Sequence, residues 1–240
     1  MKGKMLFKIT KIVLLTGMLI SNYAYSLDGF NVEYKIKKGI ITVGKISRKF
    51  ETTGDKFKFE STFETTGVTS FLKRRLYELS EGQIVEKELI PSSYLRETTE
   101  KRKNFTLKFE NQATTVKRID LKDGYVSTEN TTIQDKLSYQ AQLMLDFGNG
   151  KYSLKQEQLE FFIAAQNEIE KYEIENLGFK DIKTPLGNFT TLVLYRKVKN
   201  SKKEDTVYLA PELNWLPIRI DHLDKKGRKM IAIIEKKSPN

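Results

Sequence analysis

The feature that most restricts the fold of this chain is a strict two-residue rhythm. Phe30, Val32, Tyr34 and Ile36 are separated by Asn31, Glu33 and Lys35. Phe57, Phe59 and Phe63 repeat the pattern around Lys58 and Glu60, and Phe105, Leu107 and Phe109 do so around Thr106 and Lys108. Leu192, Leu194 and Val198, then Ile218 and Ile220, carry it towards the C-terminus. Successive strand side chains point to opposite faces, so each run specifies a strand with one dry and one wet face. A parallel sheet covered by helices would need continuous apolar runs, so the pattern predicts antiparallel sheet.

Turn residues punctuate the runs at Lys38-Gly39, Thr53-Gly54-Asp55, Glu81-Gly82, Lys122-Asp123-Gly124 and Pro185-Leu186-Gly187. Asp224-Lys225-Lys226-Gly227 joins two further runs as a terminal hairpin. A turn every ten residues or so, roughly, fits a sandwich or an open barrel. One segment departs from the rhythm. Between Thr132 and Phe147, Leu137, Ala141 and Met144 recur at helical spacing. Asp135 or Thr132 is available as a cap, and Gly148-Asn149-Gly150 as a stop. A second, short helical pattern covers Leu154–Glu160. The expected fold class is mainly β: a single curved antiparallel sheet or open half-barrel with one principal helix.

Compartment follows from residues 1–26, which read as a cleavable signal peptide. Lys2, Lys4, Lys8 and Lys11 precede the apolar run Ile12–Ile20, and Ala24-Tyr25-Ser26 offers small residues for cleavage before Leu27. The run is too short to span a bilayer and no second one follows, so the mature chain is expected to carry no transmembrane segment and to work in the periplasm. Residues 27–240 are expected to form one β-rich domain. The chain has no cysteine, which removes disulfide staples and thiolate metal sites. Its one histidine, His222, removes any site that needs two imidazoles.

With the four leader lysines removed from the 42 Lys and Arg, 38 remain against 31 Asp and Glu, a net charge of +7. The surplus clusters at Lys73-Arg74-Arg75, Lys101-Arg102-Lys103 and Lys225 to Lys229. Export argues against nucleic acid as a partner. Solvated surface is the first reading of these clusters, and attraction to anionic lipid the second.

Catalytic chemistry finds little support. No nucleophile elbow, metalloprotease helix, phosphate loop or dinucleotide fingerprint occurs. His222 sits in Ile218-Arg219-Ile220-Asp221-His222, and neighbouring strand positions face opposite ways, so Asp221 is no partner for it. Glu168/Glu170 and Glu173/Glu175 fit the wet edge of a strand bearing Ile169, Tyr172 and Ile174. No metal and no cofactor is expected, and His222 is expected to be dispensable.

Phe and Tyr total 25, with a single Trp at 215. Two readings remain open. The rings fill a core, or Phe57, Phe59, Phe63, Phe105 and Phe109 line a concave face for a lipophilic guest, with Leu137 and Met144 closing it from the helix.

The C-terminal third carries a resemblance. Thr184-Pro185-Leu186-Gly187-Asn188-Phe189 is followed by Val207-Tyr208-Leu209-Ala210-Pro211 and then by Leu216-Pro217-Ile218-Arg219. Asp135-Lys136-Leu137-Ser138 precedes them, and Tyr34 to Gly44 opens the series. In that order the motifs resemble the DUF3108 family of bacterial exported proteins, over essentially the whole mature chain. The resemblance implies a twisted antiparallel sheet with a helix, similar in shape to the lipoprotein carriers LolA and LolB, and supplies no catalytic residues. The function expected is that of a periplasmic, non-enzymatic envelope protein binding a lipid or other lipophilic ligand. The alternative is a scaffold or chaperone-like module that contacts envelope proteins.

Overall fold

The computed structural model describes residues 27–120, 126–155, 158–198 and 201–238; the expected signal peptide lies outside them. The first half of the chain forms β1 (Phe30–Lys38), β2 (Ile41–Thr53), β3 (Lys56–Thr65), β4 (Arg75–Val85), β5 (Glu88–Thr98), β6 (Phe105–Glu110), β7 (Thr115–Arg118) and β8 (Val126–Thr128). A two-residue β9 (Ile133–Gln134) leads into the helix α1 (Ser138–Gly148). The second half forms β10 (Gln158–Ala164), β11 (Ile169–Thr184), β12 (Gly187–Lys197), β13 (Glu204–Ala210), β14 (Leu216–Leu223) and β15 (Lys229–Ser238).

All of these strands join one sheet, in the order β8 to β1, then β15 back to β9. The two meanders meet where β1 pairs with β15, near the two ends of the described chain. Every neighbour is antiparallel except the short β9, which lies parallel to β10. The sheet curls but does not close. Its edges approach through isolated contacts, from Ile133 N to Ala113 O (2.7 Å) and from Arg118 Nη1 to Asn167 Oδ1 (2.6 Å), in place of a ladder.

The two-residue rhythm marks the interior as expected. In β1, Phe30, Val32, Tyr34 and Ile36 are buried and the residues between them are not. Cross-strand register places Phe30 opposite Phe50 and Phe50 opposite Phe59. Their ring centroids are 5.5–5.6 Å apart, one pair stacked and two edge-on. Such pairs add to plain area burial, so the lower sheet is held by a phenylalanine ladder. Gly82, at a bulge in β4, admits this packing. A Cβ there would lie 2.2 Å from Ile90 O and 2.7 Å from the Phe57 ring.

The helix is shorter at its start than the sequence pattern suggested. Ile133 and Gln134 pair with Phe162 and Ile163 in β10, so tertiary pairing takes the first part of the segment. Asp135 then ends the extended run. Its Oδ1 accepts from Leu137 N (2.8 Å) and Ser138 N (2.9 Å), and Ser138 Oγ accepts from Asp135 N (2.8 Å). This reciprocal cap satisfies the amides that the first helical turn leaves open. The helix expected at Leu154–Glu160 is not formed by the described residues of that stretch. Leu159, Phe161 and Ile163 alternate as buried positions of β10, so the period is two.

Two glutamines, Gln134 of β9 and Gln142 of α1, fix this segment to β5. On its β6 side, strand β5 has no ladder partner from Pro91 back to Glu88, which leaves that side of Leu89 open, while Ile84 of β4 pairs with Leu89 on the other. Gln142 Oε1 accepts from Leu89 N (2.6 Å), and Gln134 Nε2 donates to Leu89 O (2.8 Å). The side-chain amides thus act as a substitute strand for backbone groups that would otherwise be buried without partners.

Candidate functional site

Define the upper rim as the end of the sheet holding the β1–β2, β3–β4, β12–β13 and β14–β15 connections. There the interior face changes character. In β12, Leu192 and Leu194 are buried on the face that continues to Arg196. In β13, Leu209 and Val207 lead to Asp205, and in β14, Ile218 and Ile220 lead to His222. Register makes the three polar residues direct neighbours: Arg196 opposite Asp205, and Asp205 opposite His222. Arg48 continues the face of Phe50 in β2, and Glu78 continues that of Ser80 in β4. The N-terminal turn of α1 adds Lys136, Leu137, Tyr139 and Gln140.

Together these residues border a groove of about 1170 Å³. Among the described residues, eight lysine and arginine side chains line it against five carboxylates. Its apolar surface comes from Leu137, Tyr139, Tyr172, Val198, Val207 and Ile220.

The charges are arranged in a graded way. Asp205 accepts from Arg196 through a short ion pair, and its Oδ1 lies 2.6 Å from His222 Nδ1. Burial pushes the Asp205 carboxyl up, but the His222 hydrogen bond and the Arg196 guanidinium outweigh it and hold the group below the usual carboxylate range. Arg196 also stacks on Tyr172, 3.7 Å from the ring centre. Burial pulls the Lys136 ammonium below its usual value, with Glu170 acting in the opposite direction. Burial pushes the Tyr139 phenol up to about 12 and that of Tyr172 higher still, so both are neutral donors at physiological pH.

Arg48 is the least satisfied member. Its Nη1 donates to Gln140 Oε1 (2.9 Å) and its guanidinium lies over the Tyr34 ring. Its Nε is buried with no acceptor among the described residues. A buried guanidinium N–H without an acceptor is costly.

The residues suggested by sequence fall elsewhere in part. Phe57, Phe59, Phe105, Leu137 and Met144 are buried in the main core, and Phe63 packs half-buried against it. Phe109 is buried in the same core. Of the seven, Leu137 borders the upper groove, while Phe57 and Phe109 border a second groove at the lower rim. His222, set aside at the level of sequence, lines the upper groove; Asp221 points the other way, to Arg219 and Lys229. Arg48, Lys136, Arg196 and Asp205 were missed. The available signal was that each strand's dry run ends in a charged residue at the same rim.

Comparison with known proteins adds fold and family. A family model described as "Protein of unknown function (DUF3108)" matches residues 30–232. No protein of curated function matches the sequence. Among solved structures, the chain is similar to a beta-barrel-like protein of the domain of unknown function DUF1849 from Brucella abortus. That match has a TM-score of 0.57 at 11% identity and covers 88% of this chain and 97% of the other. A candidate exported protein with a YmcC-like fold from Bacteroides fragilis matches at TM-score 0.39 and 7% identity, over 88% of this chain and 96% of the other. A candidate lipoprotein from Parabacteroides distasonis matches at TM-score 0.36 and 11% identity, over 88% and 95%. The first of these supports the barrel-like fold alone.

Proposed function

For this chain, which belongs to the DUF3108 family, we propose a non-enzymatic role in the cell envelope, in which the exported protein binds an anionic lipophilic molecule in the upper groove. Residues 1–26, with their lysines, apolar run and small residues before Leu27, support export. The observation that carries the ligand reading is the cationic surplus of the groove, to which Arg48 contributes, beside an apolar wall that includes Leu137, Val207 and Ile220. An anionic head suits the first, and an alkyl or ring portion suits the second.

The phenylalanine ladder fills the sheet below, so a tail lies along the groove and not in the depth of the core. Each methylene moved from water to that wall contributes about 0.8 kcal/mol. Catalysis is not part of the reading: the Asp205 carboxylate that His222 faces is shared with Arg196.

The test is displacement of a fluorescent fatty-acid probe, together with organic extraction and mass spectrometry of protein recovered from cells. Micromolar probe binding is expected, weakened about ten-fold or more in Arg48→Gln, which removes a charge-assisted contact. A scaffold that contacts envelope proteins is the competing reading. Absence of both probe binding and extractable lipid would favour it and overturn the ligand reading.

A further inference from the structure

The upper rim carries a second feature, outside the groove. The turn of the β1–β2 hairpin ends in Ile40, 97% exposed, and Ile41 beside it is exposed as well. The β3–β4 connection contains a six-residue 3-10 segment, Gly67–Leu72, that places Val68 (66%), Phe71 (75%) and Leu72 in solvent. Backbone geometry joins the two loops. Thr66 N donates to Val43 O (3.3 Å), Thr69 Oγ1 donates to the same carbonyl, and Gly67 sits against Thr42 O. Lys73 N closes the segment onto Ser70 O (3.0 Å), and Thr65 N bonds Arg74 O (3.1 Å). The segment is therefore ordered by backbone and threonine hydrogen bonds, while its large apolar side chains face outward. Folding has no use for them there.

Topology gathers charge around this tip. All three basic clusters lie at the upper rim. Lys73-Arg74-Arg75 flank the tip itself, Lys101-Arg102-Lys103 occupy the β5–β6 connection, and Lys225 to Lys229 occupy the β14–β15 turn. Among these cations, Arg75 is engaged by Glu64 (3.8 Å), Lys103 by Glu100 (2.6 Å), Arg228 by Asp224 (2.5 Å) and Lys229 by Asp221 (3.0 Å). Residues scattered over 150 positions of sequence thus form one cationic border around five exposed apolar side chains. Exposed apolar groups ringed by polar ones mark interaction sites. A border of one sign selects a partner of the opposite sign, and an apolar tip within a basic ring is the pattern of a peripheral membrane contact.

We propose that the upper rim docks on a bilayer containing anionic lipid, with Ile40, Ile41, Val68, Phe71 and Leu72 entering the headgroup boundary and the lysine and arginine clusters resting on the headgroups. The groove opens at the same rim, so a docked protein presents its ligand site to the membrane. Apart from Lys225, which also lines the groove, the docking proposal stands on residues outside it and does not depend on what the groove binds.

The test is co-sedimentation of the exported protein, recovered from cells, with vesicles of phosphatidylglycerol and phosphatidylethanolamine, and separately with vesicles of phosphatidylcholine. Binding to the anionic vesicles alone is expected. Replacing Lys73, Arg74 and Arg75 together by Gln should weaken it about a hundred-fold, since each cation near an anionic surface is worth about five-fold. The exposed double variant Ile40→Ser with Phe71→Ser should weaken it about ten-fold or more with no change in thermal unfolding. Arg48→Gln should bind vesicles as the parent does, which separates this proposal from the groove reading. Equal binding to both vesicle types, none to either, or full binding by the double variant would overturn it. A monomer–dimer equilibrium abolished by Ile40→Ser and Phe71→Ser, without vesicle binding, would reassign the tip to self-association.

Discussion

The upper and lower grooves have the same volume, about 1170 Å³, and opposite charge. Eight cations face five carboxylates above; five carboxylates face two lysines below. The origin of the charge separates them further. In the lower groove Glu51, Glu88 and Glu110 occupy wet-face positions, alternating with buried neighbours such as Phe50, Leu89 and Phe109. They are solvated hairpin ends that overhang a gap. In the upper groove Arg48, Glu78, Arg196, Asp205 and His222 occupy positions that continue a dry face. Placing charge there costs desolvation that a wet-face residue never meets. Charge on the wrong side of a strand is therefore the mark of a site, and equal volume alone is not.

The comparison assigns the lower half to stability, which a core truncation tests most severely. Phe50 is fully buried and touches the rings of Phe30, Phe57 and Phe59. Phe50→Ala should cost about 3–5 kcal/mol in equilibrium denaturation, the range for a large ring removed from a packed core. A loss below about 1 kcal/mol would mean that the lower sheet is loosely filled and able to admit a guest, and the distinction between the halves would fail.

Asp135 lies where the two halves meet, at the cap of α1, with Ser80 Oγ donating to its Oδ2 (2.6 Å). Burial pushes its carboxyl up to about 6, against the opposing pull of the Ser80 and Ser138 hydrogen bonds. The group is raised relative to an unfolded value near 3.9, so its contribution to stability is full below about pH 4 and is lost as pH rises through about 6. A shift of about two units corresponds to about 3 kcal/mol. Asp135→Asn has no such titration. The stability difference between parent and variant should therefore narrow by about 3 kcal/mol between pH 4 and pH 7, measured by urea unfolding at each pH. A difference that stays flat would show that the cap hydrogen bonds cancel the cost of burial.

Much of the sheet was legible because a period of two is a local property. Phe30, Val32, Tyr34 and Ile36 are buried as their alternation demands, and Leu159, Phe161 and Ile163 carried the same signal where a short helix was expected. The start of α1 was not legible, because Ile133 and Gln134 are claimed by a partner strand more than 25 residues away. The site was legible only one residue at a time. Arg196, Asp205 and His222 each extend a dry run, yet their adjacency depends on the registers of β12 to β14, which no single segment encodes. The phenylalanines drew attention because they are numerous, and most of them fill volume.

The smallest expected effect bears on the upper groove. His222 is half-exposed, and Asp205 keeps its Arg196 partner without it. His222→Ala should therefore cost less than about 1 kcal/mol near neutral pH, in line with solvent-accessible ion pairs. Its signature lies in acid. Asp205 is held low by His222 and Arg196 against burial, so its stabilising contribution is present above the unfolded carboxylate value and is lost as pH falls through the folded one. Removing His222 takes away one of the two groups that hold it down, so the acid-unfolding midpoint should move to higher pH. Fatty-acid probe affinity should stay within about two-fold, because Arg48 and Lys136 on the opposite wall remain. Loss of an envelope phenotype by a fully folded His222→Ala protein, with probe binding intact, would be incompatible with a passive groove. It would make the Asp205–His222 pair the working part of an enzyme.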